Sequence, residues 1–506
     1  MDSHDNERKP LLGISATKKP RIKNKIKAWA MYQPANIPYF DKVLPSNLTS
    51  LAIILFLAIN IFYAVYRIPF RLDLFFVFAD RLGLIFVANL PFLYLFGAKN
   101  QPIRWLTGIS YESLNIWHRR LGELMCLTAL LHFLGMIIVW YIDLRPEGFT
   151  LLRFISTNLV ILGLGAFISY ETLYVTSLSS FRQRWYELFL ASHIVFQALA
   201  LLFAYFHFPT AQIYVLASVL IFLTDRILFR LTLKRTTITA SLTILPDVHT
   251  LLISANWHLP PTTPFLHANI SHGWAPTDHV FVTIPALSRS AALQAHPFTI
   301  FSAAPTSTST TASSHAWLTL LVRARAGFSA SLLAYARTHS SVRMRVDGPY
   351  GSPHALDVLE SADSAILVVG GSGIAVAYPL LYALLHPRHC DAENVLALSG
   401  SNGENRRRRV RLLWVVHSEK HAEWLPKEKM EELVAWGLEV AVPAATERAG
   451  RPDVVGIVGH WVAQEDGRTG VVVSGPDGMN RDVRNACAGM VGMGRDVRVC
   501  VEKFGW

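Results

Sequence analysis

Residues 117–132 read WHRRLGELMCLTALLH, an apolar stretch with one histidine near its start and another at its end. His118 and His132 are fourteen residues apart, and fourteen residues of α-helix make almost four turns and rise about 21 Å. Both imidazoles therefore lie on one face of a single helix, near opposite ends of a segment long enough to cross a bilayer. An ionisable side chain in such a segment is costly and indicates a functional site.

The composition places this helix in a membrane protein. The chain has 506 residues, 52% of them hydrophobic, with a mean hydropathy of +0.32. These values are too apolar for an ordinary soluble protein and indicate membrane spans joined to soluble domains. We predict an even number of spans, which places the N-terminal segment and the large C-terminal half on the same, cytosolic side. The predicted spans are 48–66, 80–97, 116–141, 150–174, 186–207 and 211–230.

The net charge of +11 does not indicate nucleic-acid binding, because the basic residues cluster beside the apolar runs. That distribution follows the positive-inside rule for membrane spans. The clusters are KKPRIKNKIK (18–27), HRR (118–120), FRQRW (181–185) and FRLTLKR (229–235). The four cysteines show neither metal-site nor redox-motif spacing, and they form no visible disulfide framework. They are Cys126, Cys390, Cys487 and Cys500.

A second pair of histidines, His193 and His207, repeats the fourteen-residue spacing on the predicted fifth span. Spans three and five run in the same direction, so His118 lies level with His193, and His132 lies level with His207. One such histidine alone is more often hydrogen-bonded to a neighbouring helix. Four with matched spacing suit two haems, each clamped between two imidazoles. With both axial positions filled, such haems would carry electrons and not bind oxygen.

Residues near these histidines fit the same interpretation. Arg119 and Arg120 are candidates to pair with propionates of the inner haem, with simple anchoring at the membrane surface as the alternative. Gly122, Gly163 and Gly165 would permit close approach of a helix or a porphyrin, although small residues are common at membrane helix contacts.

The C-terminal half reads as two soluble domains. Residues 236–351 contain short alternating runs, which predict a small antiparallel barrel. SAILVVGGSGIAVAYPLLYALL (364–385) reads as a buried strand, a glycine-rich turn and a helix, where a backbone can approach a pyrophosphate. RLLWVVHS and GVVVSGPDGM are compatible with further strands of a parallel sheet. The predicted domains are a cytosolic segment (1–47), a transmembrane di-haem domain (48–234), a barrel domain (235–355) and a dinucleotide-binding domain (356–506).

Four motifs in this half resemble those of the ferredoxin–NADP reductase group: HPFTI (296–300), GPYG (348–351), GGSGI (370–374) and SGPDGM (474–479). The resemblance implies that HPFTI binds the flavin and that RARAGFSASL (323–332) holds its pyrophosphate. The GGSGI and GP turns would bind the nicotinamide nucleotide. The implied cofactor-binding residues are His296, Pro297, Phe298, Thr299, Gly327, Phe328, Ser329, Gly348, Gly370, Gly371, Ser372, Gly373, Gly475 and Pro476.

Two further residues have implied catalytic roles. Ser474 takes the place of a cysteine that the family often has beside the nicotinamide. Trp506, or else Phe504, would cover the flavin. The family often has an arginine after its second dinucleotide strand, where this chain offers Ser418 and Lys420. The preference for NADPH is therefore implied by the resemblance and not by these residues. The block RRRR (406–409) is a second candidate to contact a phosphate, with a solvated loop as the alternative.

Over residues 30–506 the chain resembles the fungal ferric reductase family of transmembrane metalloreductases, which is related to the NADPH oxidases. LPSNLTSLAIILFLAINIFY, DRLGLIFVANLP, HRRLG and RWYELFLASH fit its membrane pattern. The implied fold is a six-helix transmembrane haem-binding bundle, an antiparallel β-barrel FAD domain and an α/β dinucleotide-binding domain. The implied activity passes electrons from cytosolic NADPH, with FAD and two haem b as cofactors, to chelated Fe(III) and secondarily Cu(II), feeding a separate iron-uptake system.

Two other functions stay open at this point. A superoxide-generating NADPH oxidase needs the same cofactors, although the equal histidine spacing favours the metalloreductase. A transporter with a regulatory nucleotide-binding domain would contain no haem. We expect no charged groups deep in the spans besides the histidines, and this absence disfavours the transporter. The plasma membrane is the first expectation for location. ERKPLLG (7–13) resembles a dileucine sorting signal and makes the vacuolar or endosomal membrane the second.

Overall fold

The N-terminal half of the chain is helical. A computed structural model describes residues 22–37, 43–68, 71–107, 110–260, 269–289, 291–292, 294–305, 315–387 and 408–502. Within these ranges, six helical segments are long and apolar enough to cross a membrane. The predicted number of spans is confirmed. The segments are Asn47–Val65, Leu72–Gly97, Tyr111–Leu144, Asn158–Ser177, Tyr186–His207 and Ala211–Leu233.

Ten α-helices make up this half. They are α1 (Ile22–Met31), α2 (Asn47–Val65), α3 (Phe75–Gly97), α4 (Pro102–Thr107), α5 (Tyr111–Val139), α6 (Leu151–Ile155), α7 (Asn158–Ser177), α8 (Ser179–Arg184), α9 (Tyr186–His207) and α10 (Ala211–Leu223). A π-helical turn extends α5 over Trp140–Leu144, and a longer π-helical segment extends α10 over Thr224–Leu233. Helix α3 packs along α5, α7 packs along α9, and α10 packs against α3.

Two predicted span limits were wrong. The second span begins at Leu72 and not at 80, because a short 3₁₀ turn leads directly into α3. The fourth begins at Asn158 and not at 150, since the apolar residues before it form the separate helix α6. The Thr150 side chain caps α6 by accepting a hydrogen bond from the Arg153 backbone N–H. Arg153 therefore lies in the connection before the fourth span.

The first soluble unit is a six-stranded antiparallel sheet. Its strands are β1 (Arg235–Ile244), β2 (Thr250–His258), β3 (His279–Thr283), β4 (His296–Thr299), β5 (His315–Arg323) and β6 (Ser341–Tyr350). They lie in the order β4-β3-β6-β1-β2-β5. The sheet curls until its two edges meet, because Ile300 after β4 bridges to Leu320 in β5. Alternate side chains fill the interior, as the period-two sequence pattern predicts.

The second soluble unit is a five-stranded parallel sheet in the order β11-β10-β7-β8-β9. Its strands are β7 (Ser364–Gly370), β8 (Arg409–Val415), β9 (Leu438–Ala441), β10 (Thr469–Ser474) and β11 (Val497–Val501). The first strand along the chain lies in the middle, and later strands extend on both sides. This is the doubly wound arrangement, with its switch point between β7 and β10.

Helices cover both faces of this sheet. Along β7, Leu367 and Val369 pack on one side, and Ile366 and Val368 pack on the other. A strand buried on both faces reads as a continuous apolar run, as SAILVV does. Within the described part of the C-terminal half, the α-helices are α11 (Phe328–Ala336), α12 (His354–Glu360), α13 (Ile374–Leu385), α14 (Lys427–Ala435), α15 (Thr446–Ala449), α16 (Val454–Ala463) and α17 (Asp477–Gly492).

The N-terminal helix α1, which carries part of the basic cluster 18–27, lies against a soluble unit. It packs on α17 of the parallel-sheet unit, with Ala28 and Met31 against that unit's apolar cluster. The segments before the first span and after the sixth are thus in contact on one side, as an even number of spans requires. The domain limits drawn from the sequence remain a proposal.

Polar contacts join the curled sheet to the last span. Asp347 in β6 accepts a hydrogen bond from Arg230 Nε at 2.8 Å, and both side chains are largely buried. Asp225 accepts two hydrogen bonds from Asn100, which follows the second span. The barrel is therefore held against the bundle by paired charges and hydrogen bonds as well as by apolar packing.

The two soluble units are joined through Asp247, in the turn between β1 and β2. Its carboxylate accepts hydrogen bonds from Thr250 N, from Thr250 Oγ1 and, at 3.1 Å, from Trp424 Nε1 of the parallel-sheet unit. Burial opposes ionisation, but these hydrogen bonds outweigh it and lower the pKa of Asp247 below its usual value.

Replacing Asp247 with asparagine should destabilise the soluble half by about 1–3 kcal/mol, because buried donors lose a charged acceptor. The lowered pKa means that the wild-type carboxylate stabilises the fold above pH ~4 and loses that contribution as the pH falls further. Thermal unfolding of the full chain measures the change. Asp466→Asn, at a position 96% exposed, is the control. Equal midpoints for wild type and Asp247→Asn would show that the clamp contributes nothing.

Candidate functional site

The four intramembrane histidines share one hydrogen-bonding arrangement. His118 Nδ1 lies 2.9 Å from the Leu93 carbonyl oxygen, and His132 Nδ1 lies 2.7 Å from that of Ala79. Both acceptors belong to α3, the helix that packs along α5. Because a carbonyl only accepts, each Nδ1 carries the proton and donates it. This tautomer leaves Nε2 with its lone pair available as a metal ligand.

The histidines of α9 repeat the arrangement with α7. His207 Nδ1 donates to the Leu159 carbonyl at 2.8 Å, and His193 Nδ1 lies 3.3 Å from the hydroxyl oxygen of Ser177. Each histidine helix therefore has a neighbour that orients its imidazoles. Metal-bound histidines are usually oriented in this way, through the ring nitrogen that does not bind the metal.

The spacing of the inner pair fits a shared metal. The ring centroids of His118 and His193 are 6.5 Å apart. Two metal–nitrogen bonds of ~2 Å, with the distance from each nitrogen to its ring centre, add up to roughly 6.4 Å. The two rings therefore stand as far apart as two axial ligands of one iron would. His132 and His207 occupy the corresponding positions fourteen residues further along each helix.

Glycines make room for three of the imidazoles. A Cβ added at Gly163 would lie 2.7 Å from His207 Cε1, and one at Gly83 would lie 3.0 Å from His132 Cε1. At Gly97 the added atom would lie 3.1 Å from His118 Nδ1. Sequence reasoning singled out Gly163 but missed Gly83 and Gly97. Of the other two predicted glycines, Gly165 faces Phe203, and Gly122 has only Leu93 nearby, at 3.8 Å.

An apolar layer separates the two histidine levels. Met125 and Ala200 each lie midway between the two histidines of their helix, and they are 2% and 0% exposed. They belong to the buried core of the bundle, together with Leu121 and Tyr170. This packing divides the bundle into an inner and an outer site.

The structure bears on two expectations about charged residues in the spans: that Arg119 and Arg120 pair with haem propionates, and that no other charged groups lie deep in the spans. Arg120 forms hydrogen bonds with Glu123 at 2.6 and 2.8 Å, so its side chain is engaged within α5, whereas Arg119 is exposed. The expectation of no other charged groups deep in the spans was wrong. Glu171 lies within α7, and one of its carboxylate oxygens is buried without a hydrogen-bond partner. The argument against a transporter that rested on this point therefore falls.

The HPFT motif forms β4 and stands beside the start of α11. The His296 ring stacks on that of Phe328 with centroids 4.0 Å apart and planes 23° apart, and Phe298 lies 6.1 Å from Phe328. Burial lowers the pKa of His296, while Glu187 opposes that shift. The two segments predicted to bind the flavin are distant in sequence, and the structure brings them together. The neutral imidazole of His296 lies at their contact. Pro297 and Thr299 lie in the same strand.

Gly327 precedes α11 with φ +58°, a conformation that favours glycine. The Ser329 hydroxyl accepts a hydrogen bond from Arg325 N and donates to the Ala326 carbonyl, which closes the turn. The first N–H groups of a helix attract phosphate, and this turn exposes those of α11. Gly348 stands at φ +148°, where an added Cβ would lie 3.2 Å from the His279 carbonyl oxygen.

The two dinucleotide turns meet at the switch point of the parallel sheet. Gly370, Gly371, Ser372 and Gly373 follow β7, and Ser474, Gly475 and Pro476 end and follow β10. A Cβ added at Gly373 would overlap the Ser474 carbonyl oxygen, and one at Gly370 would lie 3.0 Å from Pro476 Cδ. Open α/β sheets bind ligands in the crevice at this point. Ser474 is 1% exposed.

Other predicted residues lie elsewhere or outside the described ranges. Trp506, Phe504 and the dileucine-like segment 7–13 are outside the described residues, as are the first two arginines of 406–409. Arg408 donates to the carbonyls of Ala362 and Glu360, and Arg409 pairs with Glu439 and Glu465. These two arginines hold the sheet end and not a phosphate. Ser418 and Lys420 follow β8 at the same sheet edge as the dinucleotide turns.

Helices α5 and α9, which carry the four histidines, both contact the region of β3 and β4 that is predicted to bind the flavin. We call β3 and β4 the flavin strands and α5 and α9 the histidine helices. Sequence reasoning missed these contacts. Tyr111, the first residue of α5, has its hydroxyl 2.6 Å from Nε2 of His279 in β3, and His279 pairs with Thr299 in β4. At the start of α9, Glu187 accepts a hydrogen bond from Gln294, whose Oε1 lies 3.2 Å from His296 Nε2. Neither contact follows a motif, because the partners are far apart in sequence.

Replacing Gly163 with alanine should displace His207, because the added methyl would overlap its ring. Disturbing a group that orients a metal ligand typically costs ~10–100-fold in affinity, so haem per polypeptide should fall by about half. Gly459→Ala, in helix α16 outside the bundle, is the control, since no described atom beyond the adjoining helix backbone lies within 4 Å of the added methyl. Haem and protein assays on purified protein measure the ratio. Full haem content in Gly163→Ala would contradict the assignment of His207.

Two protein-family models match the chain. One, described as ferric reductase like transmembrane component, matches residues 82–204, and the other, described as FAD-binding domain, matches residues 266–354. The first covers His118, His132 and His193 and ends three residues before His207, and the second covers HPFT and the start of α11.

Curated relatives agree with these matches. A probable ferric reductase transmembrane component of Candida albicans is 21% identical over 416 residues, covering 77% of this chain and 54% of the relative. A probable ferric reduction oxidase 1 of Arabidopsis thaliana is 29% identical over 312 residues, covering 60% of this chain and 40% of the relative. The chain spans about half the length of the curated relatives it matches.

Among solved structures, a ferredoxin-NADP+ reductase from Plasmodium falciparum is 10% identical, with a TM-score of 0.33, covering 53% of this chain and 96% of that one. No argument rests on a score of that size. The family matches and the curated relatives, together with six apolar helices, a curled antiparallel sheet and a doubly wound unit, carry the assignment. These findings support a ferric reductase family protein: residues 82–204 are similar to a ferric-reductase-like transmembrane component, residues 266–354 are similar to a FAD-binding domain, and a dinucleotide-type unit follows.

Proposed function

We propose that the protein is a transmembrane ferric-chelate reductase. It takes electrons from cytosolic NADPH and delivers them to Fe(III), and secondarily to Cu(II), on the opposite side of the membrane. One NADPH and two Fe(III) give one NADP⁺, two Fe(II) and one proton. When bound, FAD would convert a two-electron donor into single electrons, and two haem b groups would carry those electrons across the bilayer.

The double contact between the flavin strands and the histidine helices carries this proposal. Tyr111 binds His279 seven residues before His118, and Glu187 binds Gln294 six residues before His193. Both inner ligands thus stand on helices whose ends are attached to the predicted flavin site. An electron leaving that site would reach the inner histidine level first and the outer level second.

The chain's residues would share the work as follows. His296 and Phe328 would support the flavin, and the turn at Gly327 would receive its pyrophosphate. The four imidazoles would ligate iron through Nε2 and exclude other ligands. Ser474, buried at the switch point, would shape the space for the nicotinamide ring, and Trp506 would cover the flavin until nucleotide displaces it.

The proposed preference for NADPH over NADH rests on the polar and charged side chains at the end of β8. Ser418 and Lys420 lie where the second parallel strand ends, the place from which a doubly wound sheet reaches the ribose of the nucleotide. A hydroxyl and an ammonium group there would favour the additional phosphate of NADPH. Glu419, between them, is engaged with Arg448 at 3.3 Å and so does not repel that phosphate freely.

The acceptor side favours an anionic chelate. Three arginines of the outer connections, Arg67, Arg145 and Arg153, each lie over an aromatic ring at 4.3–5.3 Å. Stacking of this kind keeps a guanidinium at the surface with its charge available. Reduced metal would pass to a separate uptake system. The plasma membrane is the proposed location, with the vacuolar or endosomal membrane as the alternative.

Sealed vesicles with the soluble domains outward test the activity directly. With NADPH outside and a ferric chelate trapped inside, Fe(II) should form equally fast with and without oxygen, at two Fe(II) per NADPH. His132→Ala should abolish Fe(II) formation while flavin reduction continues, and His339→Ala, at an exposed position three residues after α11, should change nothing. Superoxide formation with little anaerobic iron reduction would instead mean an NADPH oxidase.

The contact at Tyr111 predicts a selective defect. Tyr111→Phe removes the hydrogen bond to His279 and loosens the flavin strands against α5. Haem reduction should slow on the order of tenfold, because a displacement of about 1 Å between reacting groups can cost up to ~100-fold. Flavin reduction by NADPH should keep its rate. Stopped-flow absorbance separates the two steps, and Tyr63→Phe, in an exposed position on the first span, is the control. Equal slowing of both steps would show a general loss of structure.

A further inference from the structure

The N-terminal segment joins the first span to the dinucleotide-type domain. We call the described residues 22–37 and 43–47 the strap. Helix α1 of the strap lies along α17, where Gly492 permits a close approach: a Cβ added there would lie 3.4 Å from Ala28 Cβ. The ion pair between Lys27 and Asp496, at 3.7 Å, is half exposed and contributes little to the contact.

A reciprocal pair of hydrogen bonds fixes the position of the strap on α17. The backbone N–H of Gln33 donates to Asn485 Oδ1 at 2.8 Å, and Asn485 Nδ2 donates to the Gln33 carbonyl at 2.9 Å. A side-chain amide that pairs with both the backbone N–H and the backbone C=O of one residue cannot slide along the strap without losing both bonds. This contact therefore specifies a register, which apolar packing alone does not.

The other end of the strap is tied to the first span. The Gln33 side chain donates to the Leu44 carbonyl at 2.7 Å. Asn47, the first residue of α2, donates through its side chain to the Trp29 carbonyl and through its backbone to the Tyr32 carbonyl, both at 2.9 Å. Gln33 is 5% exposed. It is thus a buried residue that binds both the dinucleotide-type domain and the chain entering the membrane.

Helix α17 carries the second dinucleotide turn. It begins at Asp477, directly after Pro476, and Asn480 in its first turn donates to the Gly475 carbonyl at 2.8 Å. A shift of α17 would therefore move the turn that includes Ser474. The Asp247–Trp424 clamp holds the far side of the same domain, so the strap supplies a second, separate point of attachment.

We propose that the strap is a positioning element. It holds α17, and with it the Ser474–Pro476 turn, at a fixed place relative to the membrane bundle and the flavin domain. Asn485 and Gln33 are its positioning residues. This role rests on the proposed function, because it concerns the step in which the nucleotide reduces the flavin.

Asn485→Ala is the direct test in the purified full chain. It should raise the NADPH concentration for half-maximal flavin reduction about fivefold, the effect of losing one or two hydrogen bonds. Haem reduction from a photoreduced flavin should stay unchanged, because the barrel contacts remain. Hydrogen exchange should become faster in α1 while the flavin and haem contents stay equal to wild type. Asp482→Ala, exposed on the same helix, is the control and should match wild type.

A covalent lock tests the docked state from the other direction. The Cβ separation at positions 28 and 492 lies close to that of natural disulfides, so Ala28→Cys/Gly492→Cys should cross-link on oxidation. The cross-linked protein should keep wild-type flavin reduction before and after a reductant is added. In the Asn485→Ala background the cross-link should restore the affinity for NADPH. That rescue separates a positioning role from a loss of folding.

Three results would overturn the role of the strap. They are wild-type kinetics in Asn485→Ala with Gln33→Ala also unchanged, equal slowing of flavin and haem reduction, and loss of activity in the cross-linked protein that a reductant reverses. The last would mean that the strap must leave α17 during turnover. Failure of the proposed function looks different, because NADPH would then reduce neither flavin nor haem in the wild-type chain.

Discussion

An imidazole that binds a metal inside a membrane bundle needs a hydrogen-bond partner for one ring nitrogen and must leave the other ring nitrogen available to the metal. The bundle meets this constraint four times through Nδ1, with backbone carbonyls for three histidines and the Ser177 hydroxyl for the fourth. The requirement explains the pairing of helices, since α5 needs α3 and α9 needs α7 at hydrogen-bonding distance. It also explains the glycines opposite the rings, because a side chain there would push the imidazole off its acceptor.

The same constraint extends into the soluble half. Under the proposed function, haems held by these imidazoles would exchange electrons with a flavin only if the flavin domain were held at a fixed distance from them. The contacts of Tyr111 and Glu187 supply that restraint at the ends of the two histidine helices. Asp347 of the curled sheet binds Arg230 of the last span in the same region, and Asp225 of that span binds Asn100 in the loop after the second span. The strap and the Asp247 clamp then position the dinucleotide-type domain from opposite sides.

The sequence predicted the parts of this design that are periodic or contiguous. Equal fourteen-residue spacing located the four histidines, the short apolar or alternating runs of 236–351 predicted the antiparallel barrel, and the continuous run in SAILVV predicted a buried strand. The contacts between parts were not predictable. Backbone carbonyls such as those of Leu93 and Leu159 carry no side-chain signal, and Tyr111 and His279 are separated by 168 residues. The docking of α1 on α17 was not predictable either, because lysines beside a span look the same whether they face lipid headgroups or another domain.

The most direct measurement of the central claim is the haem content and spin state of the purified wild-type chain. The account predicts two haems per polypeptide, both low-spin in the ferric state by electron paramagnetic resonance, because two imidazoles complete the ligand field of each iron. It also predicts that carbon monoxide does not bind the ferrous protein readily. A chain that folds and binds FAD but contains no haem, or contains one high-spin haem with an open position, would contradict the account.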